Sequence, residues 1–403
     1  MADGIARGTP AFRRTNLALF ADGLATFALM YAVQPLMPVF STQFGVTPAA
    51  AALALSVTTL PLAFAMLAAS AVADRVGRRA LMVGSLFTSA LLGLACAVPS
   101  GFSGLLLLRG LMGISLAGLP AVSMAYVAEE MAPTAAGLAI GLFIAGSAVG
   151  GMSGRLLAGA LTAWFGWRAA LGGIGALGLA CAVLLWRFLP PSRHFAPCPL
   201  RLAALGAALA RHLRDPVLRL LFAQAFLLMG GFVTIYNYTA YRLLAPPYRL
   251  GQDRVGLIFS VYLAGVVSSA VMGHVAVRAG RRRTLVGNVA LMACGLALTL
   301  AAPLAAIVAG TALATAGFFG AHSVASGWVG SWARSARAQA SSLYLLAYYA
   351  GSSIVGSAGG LVWARWAWPG IVWLVAVLLG VSLLAATGLP ARDVPASVAR
   401  TQR

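Results

Sequence analysis

The stretch Ser70-Ala-Val-Ala-Asp74-Arg75-Val-Gly77-Arg78-Arg79 returns in degenerate form 203 positions later, as Gly273-His-Val-Ala-Val277-Arg278-Ala-Gly280-Arg281-Arg282. Each copy separates two long apolar segments, and the offset is about half of the 403 residues. A short basic, glycine-containing turn between hydrophobic spans, duplicated at half-length, points to a membrane protein built from two related halves. That constraint admits few architectures, and those it admits move something across a bilayer.

The apolar content agrees. The chain is 61% hydrophobic and 9% charged, against roughly 25% charged residues in an average soluble domain. Twelve apolar runs are each long enough to cross a ~30 Å hydrocarbon core as a helix. They lie near residues 16–40, 50–73, 80–98, 104–127, 137–163, 169–189, 217–243, 255–277, 284–302, 304–331, 338–363 and 368–389. The expected fold is all-α and integral to the membrane, with twelve transmembrane helices in two pseudo-symmetric six-helix halves. The halves are residues 1–190 and 217–403, joined by a linker over 191–216. No room is left for a soluble catalytic domain.

The formal charge of +20 comes from 28 arginines and no lysine. With a cytoplasmic N-terminus, 21 of the 28 fall in cytoplasmic segments, as the positive-inside rule requires. Both termini are therefore expected in the cytoplasm. The charge reads as topology and contact with anionic lipids rather than as a nucleic-acid footprint. The first apolar run is longer than a signal-peptide core and reads as a retained helix. Cys96, Cys181, Cys198 and Cys294 are scattered without metal-ligand or disulfide spacing, so neither a metal nor a cofactor is expected. In the linker, the Pro-rich stretch Pro190–Pro199 precedes Leu200–Arg214, which reads either as an amphipathic helix on the membrane face or as a plain connector.

These residues resemble the major facilitator superfamily over essentially the whole chain. Asp74-Arg75-x-Gly77-Arg78-Arg79 is similar to that family's signature turn, with Ser70 where the pattern has Gly. Arg109-Gly-Leu-Met-Gly113 is similar to its second motif. Gly146-Ser147-x-x-Gly150-Gly151 resembles its antiporter motif, with Ser147 in place of Pro, and Gly351-Ser-Ser-Ile-Val-Gly356 matches it in the second half. Gln34-Pro35 and Tyr236-Asn237-Tyr238 resemble the bacterial drug/sugar-efflux, proton-antiporter branch. The resemblance implies an inner-membrane exporter of small, drug- or sugar-like molecules, such as one conferring multidrug resistance. It would exchange them for protons by alternating access and act as a monomer. Substrate uptake is the alternative within transport. A non-transporting receptor is the alternative outside it, and no nucleophile–base cluster supports an enzyme.

Eight carboxylates make acid accounting decisive. Only Asp22 lies inside an apolar run, and an intramembrane ionisable group is a functional candidate by default. Asp22 is thus a proton-coupling candidate, the alternative being a group hydrated from the cytoplasm, six residues into the run. Arg109 is the second such candidate, or it snorkels to the outer interface. Snorkelling is the favoured reading of Arg155. A cytoplasmic latch is expected from Asp74, Arg75, Gly77, Arg78 and Arg79 reaching Glu129 or Glu130, the alternative being arginines that serve topology alone. Substrate-cavity candidates form three polar-aromatic stripes at helical spacing: Phe27, Tyr31 and Gln34; Thr234, Asn237, Tyr238 and Tyr241; and Ser341, Tyr344, Tyr348 and Ser352. His322 lies near mid-depth of the tenth run. Because acids are so scarce, neutral or weakly charged substrates fit better than cations.

Overall fold

The computed structural model describes residues 4–193 and 202–391, with the backbone alone at Ser70, Ala71 and residues 202–205. The Ser70 variant of the signature, most of the Pro-rich linker with Arg201, and the tail with Arg392, Arg400 and Arg403 lie outside the described side chains. The helices are α1 (Pro10–Tyr31), α2 (Met37–Phe44), α3 (Pro48–Val76), α4 (Arg78–Ala95), α5 (Phe102–Leu116), α6 (Pro120–Glu130) and α7 (Pro133–Phe188). They continue as α8 (Leu202–Arg214), α9 (Pro216–Leu244), α10 (Gln252–Ile258), α11 (Tyr262–Ala279), α12 (Arg281–Leu298), α13 (Leu304–Trp332) and α14 (Arg337–Thr387). Among the described residues there is no strand, only an isolated parallel bridge between Ile5 and Met131.

Eight helical stretches are long and apolar enough to span a membrane on composition alone. Two of them carry two spans each, because α7 turns at Gly166 (φ 82°) and α14 at Ala367 (φ 46°). Two further spans, α4 and α12, open on arginines that dilute their hydropathy. Twelve spans result among the described residues, as the apolar runs predict. Large apolar side chains such as Trp164, Phe165, Leu361 and Leu384 stand exposed, as lipid-facing surfaces do.

Starts are set by Thr-Pro pairs. Thr9 accepts from Phe12 N at 3.1 Å and Thr47 from Ala50 N at 3.2 Å, each followed by proline at the first helical position, where the missing N–H costs nothing. The first helix thus begins six residues before the apolar run that announces it.

The chain forms two compact units. Unit 1 comprises Met1–Arg201, Tyr236–Ser260 and Gly356–Arg365; unit 2 comprises Leu202–Ile235, Val261–Val355 and Trp366–Arg403. In unit 1, α1 and α7 approach backbone to backbone. A Cβ on Gly150 would sit 2.1 Å from Leu24 O, and one on Gly146 would sit 2.3 Å from Phe20 O. In unit 2, a Cβ on Gly351 would sit 2.1 Å from Phe226 O, so the matched glycine pattern closes α14 on α9 in the same way. In lipid, where burial gives no hydrophobic drive between helices, such contacts supply the packing energy. Gly150→Ala should therefore cost about 1–3 kcal/mol by overpacking, read as a fall in melting temperature. Gly141→Ala, on the same helix with nothing within 4 Å, should be neutral or mildly stabilising.

Candidate functional site

Asp22 lies twelve residues into α1, about 18 Å along its axis at 1.5 Å per residue. Its side chain is 0% exposed, which weighs against the alternative of a carboxyl hydrated from the cytoplasm. Its partners are hydroxyls. Ser123 Oγ lies 2.5 Å from Oδ2, and Thr26 Oγ1, one turn further along α1, lies 3.4 Å from Oδ1. Ser123 Oγ is also 2.8 Å from Leu119 O, a carbonyl at the break between α5 and α6. A hydroxyl carries one hydrogen. Ser123 therefore serves the carboxylate and Leu119 O in turn, or serves Leu119 O while accepting a proton-bearing Asp22 O–H. The arrangement has two hydrogen-bonded states that differ by one proton at Asp22.

Arg109, on α5, is 1% exposed and does not snorkel. Its Nε donates to Ala54 O at 2.9 Å, and its two terminal nitrogens donate to Leu29 O and Met30 O at 2.7 Å each. The last two carbonyls belong to the final turn of α1. The helix stops at Tyr31 and resumes as a 3-10 turn at Gln34–Leu36, because Pro35 has no N–H to return to Tyr31 O. The guanidinium thus caps the orphaned carbonyls at the negative end of α1 and pins α1, α3 and α5 together. No bond joins Arg109 to Asp22.

Arg155 is also 1% exposed, contrary to the snorkelling expected of it. It donates to Gln34 Oε1 at 2.6 Å and to Gly151 O, and its guanidinium lies 4.4 Å from the Tyr31 ring centre.

The signature turn is duplicated in conformation as well as in sequence. Gly77 (φ 93°, ψ 143°) and Gly280 (φ 88°, ψ 140°) each join two helices in a region that side chains other than glycine's avoid. The surrounding chemistry differs between copies. Arg78 pairs with Asp74 at 2.6 Å and with Glu129 at 2.8 Å. Val277 stands 86% exposed in the place of Asp74, and Arg281 donates to Ser331 Oγ at 2.6 Å where Arg78 has Glu129. Arg79 instead caps the end of α7 through Leu189 O and Trp186 O, at 2.7 and 2.6 Å. Arg75 is exposed, and Glu130 is buried with its backbone carbonyl accepting from Ile5 N at 2.8 Å. The structure thus gathers Asp74, Gly77, Arg78 and Glu129 into one cluster, while Arg75 stands exposed and Arg79 turns to the end of α7.

The aromatic stripes divide. In unit 1, Gln34, Asn237, Tyr238 and Tyr241 are engaged between helices: Tyr238 OH donates to Gly356 O at 2.8 Å and Tyr241 OH to Met37 O at 3.0 Å. Tyr31 underlies Arg155, and Phe27 remains half-buried. In unit 2, His322 stacks on Phe318 with ring centres 5.9 Å apart and meets Tyr348 at 4.8 Å. Its Nδ1 is 2.9 Å from Tyr344 OH. His322 and Tyr348 keep accessible surface, so this cluster presents an aromatic face with a hydrogen-bonding edge. Thr234 donates to the Gly230 carbonyl of its own helix at 2.7 Å, and Ser352 Oγ is buried without a partner. A separate groove of about 390 Å³ is walled by Trp366, Pro369, Gly370 and Trp373. It is apolar and lacks a titratable group, as an interfacial aromatic belt is.

Sequence comparison bears on this arrangement. The profile of the Major Facilitator Superfamily matches residues 17–254. The inner membrane transport protein YnfM of Escherichia coli (strain K12) is 46% identical over 388 residues, covering 96% of this chain and 93% of that protein. The MFS-type transporter YybF of Bacillus subtilis (strain 168) is 45% identical over 379 residues, covering 94% of each. Among solved structures, a bacterial homolog to the human lysosomal transporter Spinster, in an inward-facing and occupied conformation, superposes with a TM-score of 0.77 at 16% identity. It covers 96% of this chain and 100% of that one, a likeness of fold.

Proposed function

The chain belongs to the major facilitator superfamily and is a multi-pass membrane transporter of small molecules, and from that premise we propose that it exports small, weakly charged or neutral amphipathic molecules in exchange for protons. Asp22 is the proton-exchanging carboxyl. The observation that carries this is its setting: an acid with 0% exposure, held by two hydroxyls and by no cation among the described residues, with a protonated and a deprotonated hydrogen-bond pattern both available. Export is favoured by the α7 glycines that resemble the antiporter motif and that close on α1 beside Asp22, where Gly23 meets Phe143 O and Ser147. The aromatic face around His322 is the substrate-binding candidate in unit 2. The two sequence halves, 1–190 and 217–403, rock about the site, with the arginine-bearing turns and both termini in the bacterial cytoplasm. The Asp74–Arg78–Glu129 cluster is the cytoplasmic latch of the first half, its ion pairs exchanged as access alternates.

Flux of a panel of amphipathic compounds in proteoliposomes, with and without an imposed pH gradient, tests the proposal. Exchange predicts substrate movement opposite to the proton gradient. Movement along the gradient would establish uptake instead, and flux indifferent to pH would remove the proton from the mechanism.

A further inference from the structure

One end of unit 1, opposite the Asp74 turn, is built around a directional chain of hydrogen bonds. Arg155 Nε donates to Gln34 Oε1 at 2.6 Å, and Gln34 Nε2 donates to Asn237 Oδ1 at 2.8 Å. Gln34 and Asn237 are 0% exposed. An arginine has donors only, so it dictates which way the Gln34 amide points: oxygen to Arg155, nitrogen to Asn237. Asn237 must then present its own oxygen, and its Nδ2 is left buried without a partner. The charge on Arg155 polarises the Gln34 amide and strengthens its donation. Three rings frame the guanidinium, Tyr31 at 4.4 Å, Phe259 at 5.6 Å and Tyr236 at 6.0 Å. Gly151 O receives a further donation, and Gln252 donates to Pro35 O. Arg155, Gly151, Gln34, Pro35 and Tyr31 come from the first sequence half; Asn237, Tyr236, Gln252 and Phe259 come from the second.

We propose that Arg155 is the lock of this end of the transporter: through Gln34 it fixes the contact with Asn237, which with the Gln252–Pro35, Tyr241–Met37 and Ser56–Ser357 hydrogen bonds holds the two sequence halves together there, and release of the Asn237 contact frees the end to open to the outside. The inference rests on the alternating-access reading of the preceding section. The chemistry suits a contact that must break. Arg155 keeps its Gly151 carbonyl and Tyr31 ring when Asn237 leaves, so the cation is never stranded. The unpaired Asn237 Nδ2 gains water on leaving, which offsets part of the loss. A hydrophobic seal of the same area would lack both features, and an ion pair would leave two bare charges. Arg155 is a positioning residue: through Gln34 it orients Asn237, and its guanidinium also lies beside the second-half rings of Tyr236 and Phe259.

The test uses the full chain with its four cysteines replaced and Ser56→Cys as the reporter. Ser56 is 6% exposed at the same end of unit 1, its Oγ 2.8 Å from Ser357 Oγ. A membrane-impermeant maleimide is applied to right-side-out and to inverted vesicles. Loss of a charge-assisted hydrogen bond predicts that Arg155→Ala accelerates labelling roughly tenfold in right-side-out vesicles and not in inverted ones; acceleration in inverted vesicles alone contradicts the proposal. Gln34→Ala and Asn237→Ala should do the same, and Arg155→Ala with Asn237→Ala together should add little to either, because all three break one chain. Should Arg155→Ala fail to fold, the other two variants carry the test alone. Unchanged labelling in Arg155→Ala, or in both of the others, overturns the proposal. Labelling needs neither substrate nor gradient, so it separates the two readings. A faster rate beside pH-indifferent flux leaves the lock standing and removes proton exchange.

Discussion

Asp22→Asn is expected to abolish transport driven by a pH gradient, by roughly two orders of magnitude as for loss of an essential proton-transfer group, while leaving the protein folded. Asn is isosteric and keeps an acceptor for Thr26. Its Nδ2 donates to Ser123 Oγ, whose hydrogen then stays on Leu119 O, 2.8 Å away. The variant thus holds the bond pattern of the protonated acid without a proton to give up. Melting temperature and elution profile should match the parent, and gradient-driven flux of the compound found in the panel should fall to background. Unimpaired flux in a well-folded Asp22→Asn protein would assign the carboxyl a packing role.

The second large effect falls on stability. Arg109→Ala removes the donor to three buried carbonyls, Ala54 O, Leu29 O and Met30 O, and leaves a cavity where α1, α3 and α5 meet. Stranding buried polar groups around an excised charge costs roughly 3–5 kcal/mol. The variant should therefore melt far below the parent or be recovered poorly. Arg109→Lys should recover only part of this, since an ammonium does not reproduce the planar fork that reaches both helices. The melting temperatures of the two variants in one detergent decide it. An Arg109→Ala protein as stable as its parent would show that the α1 carbonyls find other donors.

The repeated turn was legible because its glycine is required by conformation. A chain that must pass φ near 90° between two helices writes Gly at both places, and Gly77 and Gly280 are those places. Asp22 was legible because no other acid lies in an apolar run. Its partner was not: Ser123 is 101 residues away, and a serine among apolar residues carries no mark of what it will face. The start of α1 was written plainly in Thr9-Pro10, and apolar content alone hid it, since capping residues are polar by necessity. The end of α1 was equally visible in Pro35. The helix breaks between Tyr31 and Gln34, yet both still meet the Arg155 guanidinium, so the i, i+4, i+7 spacing marked a shared neighbour without naming it. Arg155 shows a different limit. Sequence position gives depth along a helix and, with flanking polarity, a guess at the side. It does not say that Gln34 and a ring of aromatics will be waiting. The asymmetry of the two turns, Asp74 against Val277, was legible at the level of charge, and the Arg78–Glu129 pair against Arg281–Ser331 gives it a geometry.

Proton release on substrate binding tests the central claim most directly. In weakly buffered detergent solution, addition of the panel compound to the parent protein should release protons, up to about one per site when the acid starts protonated. Asp22→Asn should bind the same compound and release none. Binding without release by the parent, or equal release from Asp22→Asn, would contradict exchange at Asp22.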